Sequence, residues 1–259
     1  MLISCCDDFG LYASNSSTLL RWRVKLVYDD WRRQNVAAIY HPGLGRVVNY
    51  QVEFVEDDPD VQVAQVVEIM CRYTEADTNE PAVVRQAAQA LELGNGDSLA
   101  GVWELVRRQM RFVRDEQLAA PLQPFYKDQF VETFIRPVDI AAMCDDPQLP
   151  CRRLGDCDDF VMYAAALLHT LGVPCKFVTI AADARDPQQY THVYLAAYQP
   201  DGSRVPFDAS HGDYVGWEHQ GAYRLKEWPI GTERIVRKWA LIGAIVAGGW
   251  VAYRKGWLN

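Results

Sequence analysis

The chain has 259 residues, 49% of them hydrophobic, and a formal net charge of −8. This length and composition provide apolar side chains for one large core or two modest ones, and the negative charge argues against nucleic acid as the main partner. The seven cysteines are scattered and odd in number, which favours reduced thiols over a disulfide framework.

The N-terminal part of the chain is predicted to be rich in β-strands. Its first residues lack the basic region and apolar core of a secretory signal, so we expect no signal peptide and synthesis in a reducing cytoplasm. Apolar and polar residues alternate over 22–28 and 48–54, which predicts two strands with a turn at 41–45 between them. We interpret residues 1–80 as a β-rich accessory region, with plain scaffold and docking module as alternative roles. The polar segment 77–81 is the best candidate for a domain boundary.

Residues 81–150 are predicted to lead into the centre of the chain through helices. One helix covers about 81–93 and ends at a Gly-Asn-Gly turn, and the next begins at Asp97-Ser98. The second helix carries arginines away from its apolar face, which suit either an anionic site or, more commonly, a solvated surface: Arg107, Arg108 and Arg111. Residues 115–150 hold several prolines and are expected to be partly irregular, with one short helix at 137–143.

Three cysteines in the middle of the chain raise the question of a zinc site: Cys144, Cys151 and Cys157. They are separated by seven and six residues, whereas structural zinc sites pair their ligands at shorter spacing. We therefore expect Cys144 and Cys151 to be small buried thiols, and the sequence predicts neither a metal site nor a cofactor.

The stretch after Gly155 has the pattern of an amphipathic helix that begins at Cys157. Apolar residues recur at helical spacing up to Leu171, and Gly172 and Pro174 are suited to end the helix. At a helix start, unpaired N–H groups and the macrodipole favour a thiolate, so Cys157 is a candidate nucleophile. The neighbouring carboxylates are better suited to cap the helix than to act as acids or calcium ligands: Asp156, Asp158 and Asp159.

After this helix the pattern changes to strands over 176–181, 191–198 and 204–208, which together with the helix predicts an α+β arrangement with an antiparallel sheet. His192 on one strand and Asp208 near the end of its neighbour are then expected to lie side by side. A lone cysteine, histidine or aspartate usually has an ordinary structural role, but the three together indicate a Cys-His-Asp site. His169 and His211 are expected to be ordinary polar residues, with a substrate contact as the alternative for His211.

Four motifs follow one another in a fixed order: Gly155-Asp156-Cys157, Leu171-Gly172-Val173-Pro174, His192-Val193-Tyr194 and Asp208-Ala209-Ser210. In order and spacing they resemble the core of the transglutaminase-like superfamily, a branch of papain-type cysteine enzymes, over about residues 97–212. The flanking segments 132–137 and 210–218 are similar to uncharacterised members found in bacteriophages and prophages. The resemblance therefore also suggests synthesis in a bacterial cytoplasm and association with a virion.

The resemblance implies a papain-like catalytic domain over residues 81–231, with the nucleophile's helix packed on the antiparallel sheet. Cys157 attacks an amide or ester carbonyl to give a thioester, His192 serves as base and acid, and Asp208 orients its ring. The Cys157 N–H contributes to the oxyanion site, and Gln123 and Gln129 are only guesses for a second donor.

The expected function is that of a cysteine-dependent amide hydrolase or acyl transferase. Its expected substrates are proteins or peptides, those of the cell envelope among them. The alternative is a structural or connector component of a phage particle that keeps the fold without needing the activity.

Residues 232–259 contain an unusual apolar segment, 239–253, flanked by basic residues. As a helix it reaches about 22 Å, which is short of the roughly 30 Å hydrocarbon core of a membrane. Small residues recur every fourth position and permit close helix contact. The sequence leaves open whether this C-terminal hydrophobic helix meets a membrane, another subunit or virion protein, or the domain's own core.

Overall fold

The fold of this protein is given by a computed structural model, which describes residues 23–29, 34–41, 45–50, 58–115, 132–145 and 153–231. The segment 239–253, the candidate oxyanion donors Gln123 and Gln129, and Cys151 lie outside these residues, so their predicted roles stay predictions. Within the described ranges, no helix combines the length and the apolar character needed to cross a membrane.

Five helices are described: α1 Pro59–Asp77, α2 Pro81–Leu93, α3 Ser98–Gln109, α4 Pro137–Asp145 and α5 Cys157–Thr170. Local signals set their ends. The Asp97 side chain caps α3 by accepting hydrogen bonds from the N–H groups of Leu99 and Ala100 at 2.9 and 3.0 Å. Gly172, with φ of +74°, follows α5 in the left-handed region that glycine adopts without strain. The predicted boundaries of α5 are confirmed.

The largest sheet of the C-terminal half has four antiparallel strands in the order β10-β7-β8-β9. Their bounds are β7 Cys175–Ala181, β8 His192–Tyr198, β9 Arg204–Phe207 and β10 Arg224–Pro229. The first three agree with the strands predicted from sequence, and β10 was not predicted. The mixture of helices and antiparallel sheet fits the expected α+β class.

Two further sheets are described. The strands β1 Arg23–Asp29, β2 Gln34–His41, β3 Gly45–Tyr50 and β5 Glu132–Phe134 pair antiparallel in that order. Two short strands, β4 Met110–Phe112 and β6 Arg153–Gly155, pair in parallel. The sequence predicts only a turn near the place where β2 lies, and it predicts neither β4 nor β6.

Helix α5 forms the centre of the core. All of its side chains from Asp158 to Leu168 are buried, because α1, α2 and α3 pack around it and β8 of the sheet covers another side. The expectation of an amphipathic helix was therefore wrong. A helix that is apolar on every face is typical of such a sandwiched position. Helix α1 also contributes Val67 and Met70 to this core, while the predicted domain boundary after residue 80 stays a prediction.

Candidate active site

The start of α5 is fixed by a network of carboxylates. Asp156 is the N-cap and accepts a hydrogen bond from the Asp158 N–H at 3.2 Å. The buried Asp159 accepts bonds from the N–H of Asp156 at 3.4 Å and from the N–H of Ile135 at 2.6 Å. The predicted capping role is confirmed for Asp156 and Asp159. Cys157 is therefore the first residue of a firmly held helix, and its side chain is half-buried.

The chain just before Cys157 is also held from outside α5. Gly155 is the β6 partner of Phe112 on β4, and its carbonyl accepts a hydrogen bond from the Val113 N–H at 2.9 Å. A Cβ atom at Gly155 would lie 2.6 Å from Oδ2 of Asp159, so only glycine permits this approach. The two neighbours of the helix start, β4 and the Asp159 carboxylate, thus leave little freedom to the Cys157 backbone.

His192 and Asp208 form a direct pair at the edge of the sheet. His192 is the first residue of β8 and Asp208 follows β9 directly, and the distance from Nε2 to Oδ2 is 2.8 Å. Since an ionised carboxylate only accepts hydrogen bonds, the Nε2–H of His192 is the donor, and Nδ1 is the other ring nitrogen. The structure therefore brings these two predicted site residues together.

The environment of Asp208 keeps its carboxyl group ionised. Burial raises its pKa, but the hydrogen bond and charge of His192 and the bonds from the next residues outweigh burial and lower the pKa to about 2. Its Oδ1 accepts from the Ser210 N–H at 3.0 Å, the Ser210 hydroxyl at 2.7 Å and the His211 N–H at 2.9 Å. Asp208 is thus a buried, well-satisfied anion at neutral pH.

His211 lies against the pair, which the sequence did not indicate beyond its closeness to Asp208. Its ring centroid is 4.8 Å from that of His192 and 4.7 Å from that of Phe112, edge-on in both cases. Burial and the neighbouring His192 lower the pKa of His211, while Asp208 and Asp156 act in the opposite direction. Phe112 pairs with Gly155, two residues before Cys157, so its contact places the ring of His211 close to the start of α5.

Arg107 on α3 holds the loop that follows Asp208. Its guanidinium donates hydrogen bonds to the carbonyl oxygens of Gly212 at 2.8 Å and Ala209 at 3.5 Å, and it lies 4.8 Å from the centroid of the Trp103 ring. Arg107 is exposed, as expected for a solvated helix face, but it also binds the backbone of this loop. Arg108 is exposed as well, and its partner is Glu104 one turn away.

The structure brings two of the three predicted residues together, since His192 and Asp208 are in contact. Cys157 begins α5 two residues after Gly155, which pairs with Phe112, and the Phe112 ring centroid lies 4.7 Å from that of His211. The approach of the Cys157 sulfur to within about 4 Å of a His192 ring nitrogen stays a prediction.

Comparison with known proteins bears on this region of the chain. Residues 146–209 match the family model of the Transglutaminase-like superfamily. This region of the chain is therefore similar to that superfamily. Among curated proteins, no sequence matches the chain at a significant level.

A solved structure from Cytophaga hutchinsonii, named "Putative Cysteine Protease", is also similar to this chain. The similarity has a TM-score of 0.34 and 16% sequence identity, and it covers 64% of this chain and 50% of that one. The chain therefore spans about half the length of that protein.

The matched region, residues 146–209, includes β6, α5 and β7 to β9, and thus Cys157, His192 and Asp208. Two further residues contact this site, Arg107 and His211, and the sequence favoured ordinary roles for both. Arg107 lies 105 residues before the Gly212 carbonyl that it binds, so no local pattern could connect them. For His211 the only available signal was its place three residues after Asp208.

Proposed function

We propose that this protein is a cysteine-dependent amide hydrolase or acyl transferase that acts through a thioester on Cys157. The observation that carries the proposal is the hydrogen bond from Nε2 of His192 to the buried Asp208. This bond fixes the orientation of the His192 ring. The same region that matches the transglutaminase-like family model also contains Cys157, the first residue of the central helix α5. A paired and oriented histidine is what a thiol nucleophile requires.

In the acylation step, the Cys157 proton passes to Nδ1 of His192 and the thiolate sulfur bonds to the carbonyl carbon of the substrate. The negative charge that develops on the carbonyl oxygen is stabilised by the Cys157 N–H at the positive end of the α5 dipole. The protonated His192 then gives its Nδ1 proton to the leaving amine or alkoxide as the carbon–heteroatom bond breaks. The product is a thioester on Cys157 and a free amine or alcohol.

In the second step, water or an amine attacks the thioester while Nδ1 of His192 takes its proton, and the Cys157 thiolate leaves. Asp208 accepts from Nε2–H throughout, which keeps the reactive lone pair on Nδ1 and stabilises the imidazolium. Water as acceptor gives hydrolysis, and an amine gives acyl transfer. Both reactions use the same residues.

The substrate class that we propose is a protein or peptide. The association with a phage particle, with cell-envelope or virion proteins as substrates, stays a prediction from sequence resemblance. The alternative of a structural virion component, with contacts to a membrane or another subunit, depends on residues 239–253, which lie outside the described residues.

The proposal can be tested with p-nitrophenyl acetate, a small activated ester that needs no substrate recognition. The full chain, kept in EDTA, should acquire one acetyl group on Cys157, identified by peptide mass spectrometry, with release of nitrophenol. Cys157→Ala should remove the adduct, and His192→Gln should slow its formation by at least about 10²-fold. Cys71→Ala, at a buried thiol of α1, is the matched control and should behave as wild type.

A primary amine distinguishes the two reactions if it is added to the isolated acetyl-protein after the free ester has been removed, because p-nitrophenyl acetate itself acetylates amines. Faster loss of the acetyl group from Cys157 together with acetylated amine then shows acyl transfer, and Cys157→Ala gives the background. Acetylation spread over several thiols, or acetylation of Cys157 that does not depend on His192, would contradict the proposed enzyme.

A further inference from the structure

Three metal-ligating side chains meet at the edge of the sheet: His192, Asp208 and His211. Each offers one ligand atom, and these atoms all lie within 4.8 Å of one another. Two imidazole nitrogens and one carboxylate oxygen form a set of ligands that zinc commonly uses, with a fourth position left for water or another group. The sequence predicted that His192 and Asp208 lie side by side, but it did not suggest His211 as a third ligand beside them.

The hydrogen bonds define which nitrogen of His211 carries a lone pair. Ser210 has a single hydroxyl proton, and it lies 2.7 Å from Oδ1 of Asp208 and 2.9 Å from Nδ1 of His211. Because the ionised carboxylate cannot donate, Ser210 gives its proton to Asp208 and its oxygen accepts from Nδ1–H of His211. The lone pair of His211 is therefore on Nε2.

The two oxygens of Asp208 are used unequally. Oδ1 accepts three hydrogen bonds, from the Ser210 N–H and hydroxyl and from the His211 N–H. Oδ2 accepts the bond from Nε2 of His192 at 2.8 Å, and a carboxylate oxygen has two lone pairs. Nitrogen and oxygen ligands of one tetrahedral zinc ion lie about 3.3 Å apart, so Nε2 and Oδ2 need to separate by about half an ångström to share an ion.

We propose that Nε2 of His192, Oδ2 of Asp208 and Nε2 of His211 form a binding site for Zn²⁺ or a similar divalent transition metal. The ion takes the place of the proton between His192 and Asp208. If the His192 ring is neutral, its proton moves from Nε2 to Nδ1; if the ring is an imidazolium, the Nε2 proton leaves to solvent and Nδ1–H remains. The exposed His211 lies on the side from which an ion can enter.

The consequence for catalysis rests on the proposed function, whereas metal binding does not. With zinc on Nε2, the only lone pair of the His192 ring is occupied and Nδ1 carries a proton. His192 then cannot accept the proton of Cys157, so the metal-bound protein does not form the thioester. The site is thus inhibitory, and a chelator restores the reactive state.

Zinc binding is measured on the full chain by titrating zinc chloride against a chromophoric chelator. Cysteines whose side chains the structure does not describe are first replaced by serine, to remove competing thiolates: Cys5, Cys6, Cys144 and Cys151. We expect one zinc per chain, and an affinity at least about tenfold lower in His211→Ala. The matched control is His219→Ala, on the same loop, where the His219 ring packs 6.3 Å from that of Trp217 and the affinity should not change.

Cobalt(II) gives a second readout, because its visible absorption is intense only in tetrahedral sites. The tetrahedral spectrum should form in wild type and His219→Ala and be lost in His211→Ala. A sulfur-to-cobalt charge-transfer band that disappears in Cys157→Ala would place the thiolate at the fourth position, and its absence would place water there. Either result supports the site, provided that the spectrum depends on His211.

Two results would overturn the inference: no zinc binding at micromolar concentrations, or binding that is equal in wild type and His211→Ala. The ester assay in EDTA separates this inference from the proposed function. Zinc binding that depends on His211 without any Cys157 acetylation would retain the metal site and contradict the enzyme. Acetylation in EDTA together with zinc binding that is independent of His211 would support the enzyme and contradict the metal site.

Discussion

The two ends of helix α5 each bring a cysteine and a histidine into one neighbourhood, with different chemical results. At its start, Cys157 is half-buried, and the His192–Asp208 pair is its predicted partner. Just beyond its end, Cys175 begins β7 and is buried, and the hydrogen bond of His169 goes to the backbone of Cys175 rather than to a carboxylate. The same two residue types are therefore present at both ends.

Burial has opposite outcomes at these two ends because only at the near end do the hydrogen-bonding partners of the ionised form outweigh the cost of burial. At the far end, burial raises the pKa of Cys175 and lowers that of His169, so both groups stay neutral. The nearby Cys71 of α1 behaves in the same way, since burial raises its pKa to about 12. At the near end, Asp208 is also buried but its partners lower its pKa. A Cys–His neighbourhood becomes reactive through its partners and its exposure, and residue type alone does not decide this.

Measuring thiol reactivity at both ends of α5 tests this comparison most directly. Cys157 should react with iodoacetamide at mildly acidic pH at least about 10³-fold faster than Cys71 and Cys175, because the buried thiols have almost no thiolate. Peptide mass spectrometry after timed labelling gives each rate. Denatured protein serves as the control, in which the three rates should become similar. Equal labelling in the folded protein would show that the helix start does not activate its thiol.

The carboxylate is the feature that the far end lacks, and Asp208→Asn removes its charge with little change in shape. We expect acetylation of Cys157 by p-nitrophenyl acetate to fall by at least about 10²-fold, because the amide favours the ring tautomer with its proton on Nδ1. Asp213→Asn, at an exposed position of the same loop, should react like wild type. A rate for Asp208→Asn close to that of wild type would mean that the pair does not orient His192.

The lowered pKa of Asp208 also predicts how the free energy of unfolding depends on pH. Its pKa is lowered from 3.8 to about 2, so its contribution of about 2 kcal/mol is present above the unfolded value and is lost as pH falls from about 4 towards 2. Urea unfolding of wild type and Asp208→Asn should therefore give a difference at pH 6 that shrinks towards pH 2. The difference between wild type and Asp213→Asn should stay small throughout. A wild-type advantage over Asp208→Asn that is unchanged at pH 2 would contradict the assigned ionisation.

The smallest expected effect concerns Arg107, which binds the loop after Asp208 and therefore acts only near the Cys157 end of α5. Arg107→Gln loses the bonds to the carbonyls of Gly212 and Ala209 and should lower the acetylation rate by about fivefold through a less ordered loop. Arg108→Gln removes only the exposed pair with Glu104 and should leave the rate unchanged. Iodoacetamide labelling of Cys175 should be the same in both variants. An equal loss in both would point to a general effect of charge on α3.

The sequence by itself determined the local elements around the site. Helix α5 begins at Cys157 because Asp156 caps it, and ends just before Gly172, which takes the left-handed conformation there. These signals act within a few residues, so they can be read without a fold. The order of the Cys, His and Asp motifs was readable for the same reason, and it indicated a resemblance to the superfamily whose model matches residues 146–209.

Only the tertiary structure decided which other groups join the predicted pair of His192 and Asp208. It pairs β4 with β6 just before Cys157, joins Nε2 of His192 to Oδ2 of Asp208, and places His211 edge-on against His192. It also buries α5 on every side, although its spacing favoured an amphipathic helix. Alternation and helical spacing specify which face of an element is apolar, but they do not specify the element that covers it. Contacts across 16 residues, as for His192 and Asp208, or 105, as for Arg107 and Gly212, arise from packing of the whole core.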